Sequence, residues 1–147
     1  MEVEYTPLEE KLTGIEPHSK SGLKAILDLD FTDQKNKFVS DPDFIGWTEE
    51  NIDFAEFFYK NFLFLNLKYG GSGHLPPSTD IDDFWHGHIS DTRRYAPDCE
   101  RIFGYFLHHN PYFGIGTQKD QKLLTDSFER TQELHCKEFG AEIFEVR

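Results

Sequence analysis

The stretch TEENIDFAEFFYKNFLFLNLKYGG, residues 48–71, constrains the fold more than any other part of the chain. Thr48 can cap a helix, and Glu49 and Glu50 follow in the first turn, where the helix dipole favours carboxylates. Gly70 and Gly71 supply the stop. The spacing predicts one long helix from Thr48 to about Tyr69. Its Phe54, Phe57, Phe58, Phe62, Leu63, Phe64 and Leu65 cover most of the circumference rather than a single stripe. A helix that is apolar nearly all round belongs at the centre, with other elements packed on several sides. Glu56, Lys60 and Asn61 interrupt the run, which is too short to span a bilayer.

The rest of the chain reads as elements packed around that helix. Residues 1–18 are polar, with Pro7 and Pro17, and are expected to form an irregular arm. LKAILDL (23–29) predicts a short helix with Ser21 as its cap. Residues 30–47 contain Asp41-Pro42 and read as connecting structure with room for one helical turn. GGSGHLPPS (70–78) is a loop stiffened by Pro76-Pro77. Ser78 or Thr79 then caps a helix expected to run through Tyr95 and to break near Ala96-Pro97. Asp98 is expected to cap the next helix, CERIFGYFLHH, which must end by Asn110 because Pro111 follows. After the loop PYFGIGTQ, a last helix runs from about Gln118 to Phe139. Leu124, Phe128, Thr131, Leu134 and Phe139 lie along one face, and Gly140 is the stop. AEIFEV forms a short tail. Strand signals are nearly absent. The expected fold is all-α, an irregular bundle of four to five helices with long loops, built as a single domain over 1–147 with its helical core at 48–139.

Charge and cysteine usage narrow the partners. The chain carries 15 Lys and Arg against 27 Asp and Glu, a formal net charge of −12, which disfavours phosphate backbones and anionic lipid. No nucleic acid and no membrane partner is expected, and a protein partner stays open. Two cysteines, Cys99 and Cys136, are too few for a disulfide scaffold, and free thiols in a reducing cytosol are the expectation. The opening MEVEYTPLEEKLTG has no apolar signal-peptide core. A cytoplasmic protein is expected.

Chemistry concentrates in FWHGHISDTRRY (84–95) and FLHHNPYFG (106–114), which hold four of the seven histidines. A helix turns by about 100° per residue, so His86 and His88 stand about 200° apart and cannot share one ion. His88 falls in the stripe of Ile81, Phe84, Trp85, Thr92 and Tyr95 and is expected to be buried. His86 faces the other way, one turn after Asp82, close enough to share a proton or an ion with it. On the following helix, Cys99, Ile102, Phe103 and Phe106 form the apolar face with His109 near its edge. His108 points to the opposite side with Arg101 and Gly104.

Two constellations follow. An inner one has His88, Cys99 and His109 meeting in the aromatic core. An outer one has Asp82 and His86, joined by His108 if the hairpin between the helices brings it round. Either donor set suits zinc or iron. Each residue also has a plain structural reading. A buried His88 can hydrogen-bond within the core, Asp82 with His86 can be a cap and a surface pair, and Cys99 can be a small core residue. Asp91, Arg93 and Arg94 read as a solvated ion-pair face, His135-Cys136 as incidental, and His18 and His74 as loop residues. What favours a site is density, since so many buried polar groups need partners and one metal can serve several.

These residues also carry a likeness. Pro77-Ser78, Asp82, Trp85-His86-Gly87-His88, Thr92, Tyr95, Cys99, Gly104 and His108-His109 resemble the core of an uncharacterised domain family found in plant and bacterial glycine-rich domain proteins. The resemblance covers roughly residues 50 to 115. It implies that the Trp-His-x-His segment is the centre of the domain, and it implies no reaction. This chain lacks the glycine-rich region that names those proteins.

Three functions stay open on the sequence. One is a metal-binding domain, drawing at least three ligands from Asp82, His86, His88, Cys99, His108 and His109. Another is a metal-free structural or protein-interaction domain with hydrogen-bonded core histidines, exposing aromatics such as Tyr112-Phe113 to a partner. The last is acid–base catalysis by an Asp82–His86 dyad. There is no zincin pattern, no Cys-x-x-Cys pair, no Glu-x-x-His di-iron motif and no signature of an organic cofactor.

Overall fold

The computed structural model describes residues 4–44, 46–70 and 75–147. The loop positions Gly71 and His74 lie outside these. The described residues form six α-helices and no strand: α1 (Pro17–Leu27), α2 (Thr32–Ser40), α3 (Glu49–Tyr69), α4 (Thr79–Ser90), α5 (Thr92–Phe103) and α6 (Gln118–Phe139), preceded by a 3-10 helix at Leu8–Leu12. The all-α class holds, with more helices than the four or five expected. None of them is long and apolar enough to cross a membrane.

The central position of α3 follows from its sequence. Thr48 Oγ1 accepts from Asn51 N at 3.2 Å and Asn51 Oδ1 accepts from Thr48 N at 2.6 Å, a reciprocal cap that satisfies two end groups. Helices α1, α2, α4 and α6 all pack on α3. Its Phe58, Tyr59, Phe62 and Phe64 are buried on different sides. Phe62 meets Trp85 of α4 at 5.2 Å between ring centroids, and Phe64 meets Phe139 of α6 at 6.0 Å. Such tilted and edge-on pairs suit the ring quadrupoles.

Several local expectations are corrected. Of the expected irregular arm at 1–18, the described residues are docked: Leu8 is buried, and the Tyr5 ring packs edge-on against Phe57 and Phe58 while its hydroxyl donates to Glu142 O at 2.7 Å. The first helix begins at Pro17, not beside Ser21, because a proline at the first helical position lacks only an N–H that would have no partner there. His18 therefore lies in α1 rather than in a loop. Residues 30–47 contain the whole of α2. Its one buried residue, Phe38, leaves almost no apolar periodicity to read, and the contacts that hold it come from Trp47 and Phe84.

The largest correction concerns α4 and α5. The break lies at Asp91, not at Ala96-Pro97, and Pro97 sits inside α5. Proline frees the carbonyl four residues earlier, here that of Arg93. Arg93 and Pro97 are both exposed in the opening turns of α5, so that carbonyl can face water. Asp98 consequently does not cap a helix; it is a buried residue within one. Helix α5 ends at Phe103, where Gly104 adopts φ 77°, a left-handed conformation natural to glycine at a helix end. His108 and His109 therefore lie on a non-helical return segment rather than on the helix expected there.

Candidate functional site

Ser78 Oγ accepts from Ile81 N at 3.3 Å and so starts α4, which places Asp82 in its opening turns and His86 one turn later. Asp82 Oδ2 stands 3.6 Å from His86 Nε2. The return segment after Gly104 runs back alongside α4, anchored where Tyr95 O–H donates to Leu107 O at 2.5 Å. Two residues further on, His109 lies against the Trp85 indole, with ring centroids 4.5 Å apart. Its Nε2 falls 2.5 Å from Asp82 Oδ1 and 3.1 Å from His86 Nε2. The outer cluster is therefore Asp82, His86 and His109, with His109 in the place expected of His108.

One ligand atom from each of these three residues lies within 4.8 Å of the other two. Two polar partners converge on the single atom His109 Nε2, which has either one hydrogen or one lone pair. A proton can point straight at only one of them. A cation at the focus would accept lone pairs from all three. Around a tetrahedral ion with bonds of about 2.0–2.1 Å, ligand atoms stand about 3.3 Å apart. The 3.1 Å between the two imidazole nitrogens already matches; the carboxylate meets His86 through Oδ2 at 3.6 Å and His109 through Oδ1 at 2.5 Å, so a modest turn of the Asp82 side chain would bring one oxygen to the shared focus. The His86 ring is 54% exposed, whereas that of His109 is largely covered, so a focus here is reachable from solvent.

The cluster separates two clefts. Asp82 and His109 line one of about 430 Å³, together with Pro77, Trp85, Phe113 and Leu124. His86 lines the other, of about 720 Å³, with Asp83, Gly87 and Trp47.

The inner constellation does not assemble. His88 is 2% exposed, as its place in the stripe predicts, and both its ring nitrogens have protein partners: Nδ1 lies 2.7 Å from Tyr59 Oη and Nε2 lies 2.8 Å from Asp98 Oδ2. The tautomer that satisfies both has Tyr59 O–H donating to Nδ1 and Nε2–H donating to Asp98. Burial lowers the His88 pKa against the opposing pull of Asp98, so the ring is neutral at pH 7. Burial pushes the Cys99 thiol up, away from thiolate, and the hydrogen bonds from Leu107 and Tyr95 do not reverse this. His108 is exposed and rests on Phe106. Among the described residues, neither His88, Cys99 nor His108 joins a cluster of three metal-ligating groups.

Sequence reasoning missed three participants. Asp98 reads as a cap on the sequence because it follows Pro97, yet Tyr95, Asp98, Cys99 and Ile102 share one helical face, and that spacing marks Asp98 as inward. Tyr59 was one more aromatic on α3. His135, which joins no metal-ligating group among the described residues, has a structural role instead: it is fully buried, its Nδ1–H donates to Ala141 O at 2.6 Å, and its Nε2 accepts from Asn61 Nδ2 at 3.2 Å. The expected ion-pair face does form in part, with Arg94 reaching Asp33 at 2.7 Å and Asp91 at 3.4 Å.

Fold and cluster together define an all-α domain with a His–His–Asp group at the edge of a small cleft. The chain belongs to the UCP032817-like family, whose model matches residues 25–144, a span that includes Asp82, His86 and His109. No curated protein and no solved structure matches the chain.

Proposed function

We propose that this domain binds one divalent transition metal, zinc or iron(II), through Asp82, His86 and His109. The observation that carries the reading is the convergence on His109 Nε2, where a carboxylate at 2.5 Å and a second imidazole at 3.1 Å meet one atom. Two imidazoles and one carboxylate form the donor set of hydrolytic zinc sites and of non-haem iron(II) sites. Three protein ligands leave a position for water or substrate, which suits chemistry better than a purely structural role. Satisfied partners argue for leaving His88 out, a protonated thiol for leaving Cys99 out, and an exposed place outside the three-residue group for leaving His108 out. The reading includes a cytoplasmic setting, supported by the free thiols of Cys99 and Cys136, and one domain, supported by a buried core continuous from Leu8 to Ile143. It also includes the likeness of the Trp85–His88 segment to the domain of glycine-rich domain proteins.

A second reading, a metal-free protein-interaction domain, is favoured by the exposed Tyr112, Ile115 and Leu123, the first of them 75% exposed. Elemental analysis decides between them, on untagged full-length protein purified without chelator. The metal reading expects about one zinc or iron per chain, lost in His109→Ala and Asp82→Asn and retained in His88→Ala. A folded chain that carries no metal and takes up neither zinc nor iron(II) when they are added would sink it.

A further inference from the structure

We propose that the cleft beside the cluster binds an uncharged small organic molecule, its apolar body lying between Pro77, Phe113 and Leu124 and its one polar end directed to Asp82 and His109. The polar end rests on the metal reading, because it would meet the open side of the ion; the apolar body does not.

The lining of the cleft supports this assignment. Leu75, Pro77, Phe113 and Leu124 line its apolar side, and the polar groups Ser78, Thr79, Asp82, His108, His109 and Asn110 come from the start of α4 and from the return segment. At about 430 Å³ it has the size of a small-ligand pocket rather than of a groove for a folded partner. No lysine or arginine lines it, while Asp82 does, so in the metal-free protein an anionic ligand finds no fixed counter-charge in the walls. The walls are also braced. Leu75 N donates to the buried Asn66 Oδ1 at 3.0 Å, and Pro76 O accepts from Thr131 Oγ1 at 3.0 Å, so the loop ahead of α4 is tied to both α3 and α6. Gly114, at φ 84°, brings its backbone so close to Leu124 that an added Cβ would lie 2.3 Å from Leu124 Cδ2. That approach holds the Phe113 loop against α6. A pocket formed before its ligand arrives spends less of the binding energy on ordering.

Fluorine NMR titration of the full chain tests the assignment, first metal-free and then after zinc is added, with 4-fluorobenzyl alcohol, 4-fluorobenzoate and 2-fluoroethanol as probes. In the metal-free protein the benzyl alcohol is expected to bind about tenfold or more tightly than either of the others, from the apolar area it buries and the charge it lacks. Leu124→Asp and Phe113→Ala, both at half-buried positions, are each expected to weaken it at least severalfold and to leave zinc uptake unchanged. Equal weak binding of all three probes overturns the proposal. So does benzyl alcohol binding that both variants leave intact while their melting curves match the wild type. If zinc is refused and the alcohol still binds in this pattern, the metal reading falls and the cleft stands. If zinc binds and the alcohol does not, the cleft assignment falls alone.

Discussion

His88 Nε2 lies 2.8 Å from Asp98 Oδ2, ten residues along the chain, because α4 and α5 turn back on each other at Asp91. On one continuous helix the two would be about 15 Å apart along the axis. The pair, with Tyr59 on the other ring nitrogen, ties three helices together at one buried imidazole.

His88→Ala is therefore expected to cost about 2–4 kcal/mol, since it leaves a cavity and strands the buried Asp98 and Tyr59. His86→Ala, at an exposed ring, is expected to stay within about 0.5 kcal/mol of wild type without metal. Urea unfolding of both variants checks this. Equal losses would mean that the buried network contributes little to stability.

Metal should change that ranking. At about one hundred times its Kd, a ligand that binds only the folded state adds about 2.7 kcal/mol, which for a chain of this size raises Tm by roughly 5–10 °C. The wild type is expected to show this shift with zinc, and His86→Ala and His109→Ala are not. A thermal scan with and without zinc, with a chelator wash as the reverse arm, reads it directly. The same shift in His109→Ala would place the ion elsewhere.

Acid should destabilise the fold in two overlapping steps. Burial lowers His135 from 6.5 to about 4, so between those values the unfolded chain binds the proton more readily and stability falls as pH falls. The loss from this group alone is roughly 3 kcal/mol. Burial raises the Glu138 carboxyl, but hydrogen bonds from Lys68, Tyr69 and Lys11 outweigh it and hold the group at about 2, below its usual 4.5. Its stabilisation is present above pH 4.5 and is lost as pH falls towards 2. Denaturant melts from pH 8 to pH 4 should show this slope, to which the buried His88, its pKa also lowered by burial, adds, and His135→Gln should make it shallower. A flat wild-type profile over that range would contradict the buried neutral imidazole.

Gly22 provides a test of helix packing. It lies inside α1, where alanine is ordinarily the better residue by about 0.5–1 kcal/mol. An added Cβ would fall 2.4 Å from the backbone oxygen of Ile102 in α5 and 2.8 Å from Leu67 Cδ2. Backbone cannot move aside cheaply, so Gly22→Ala is expected to destabilise by about 1–3 kcal/mol. A stabilised variant would show that α1 and α5 are less closely apposed.

What the sequence determined by itself is whatever depends on interactions a few residues apart. The Thr48 cap and Gly70 bound α3, the final helix runs from Gln118 to Phe139 with Gly140 after it, and the helical repeat turns His88 inward and His86 outward. Capping, helix stops and the 3.6-residue period act over one or two turns, so they can be read along the chain. The tertiary structure alone decided that the helix breaks at Asp91 rather than before Pro97, that α2 exists around a single buried Phe38, and that His109 rather than His108 reaches Asp82 and His86. The cluster spans 27 positions between Asp82 and His109, and its geometry is set by where α5 ends at Gly104 and how the return segment packs on Trp85. Local spacing carries no information about such a meeting, because a difference of one residue in the return segment exchanges the imidazole that faces the site for its neighbour.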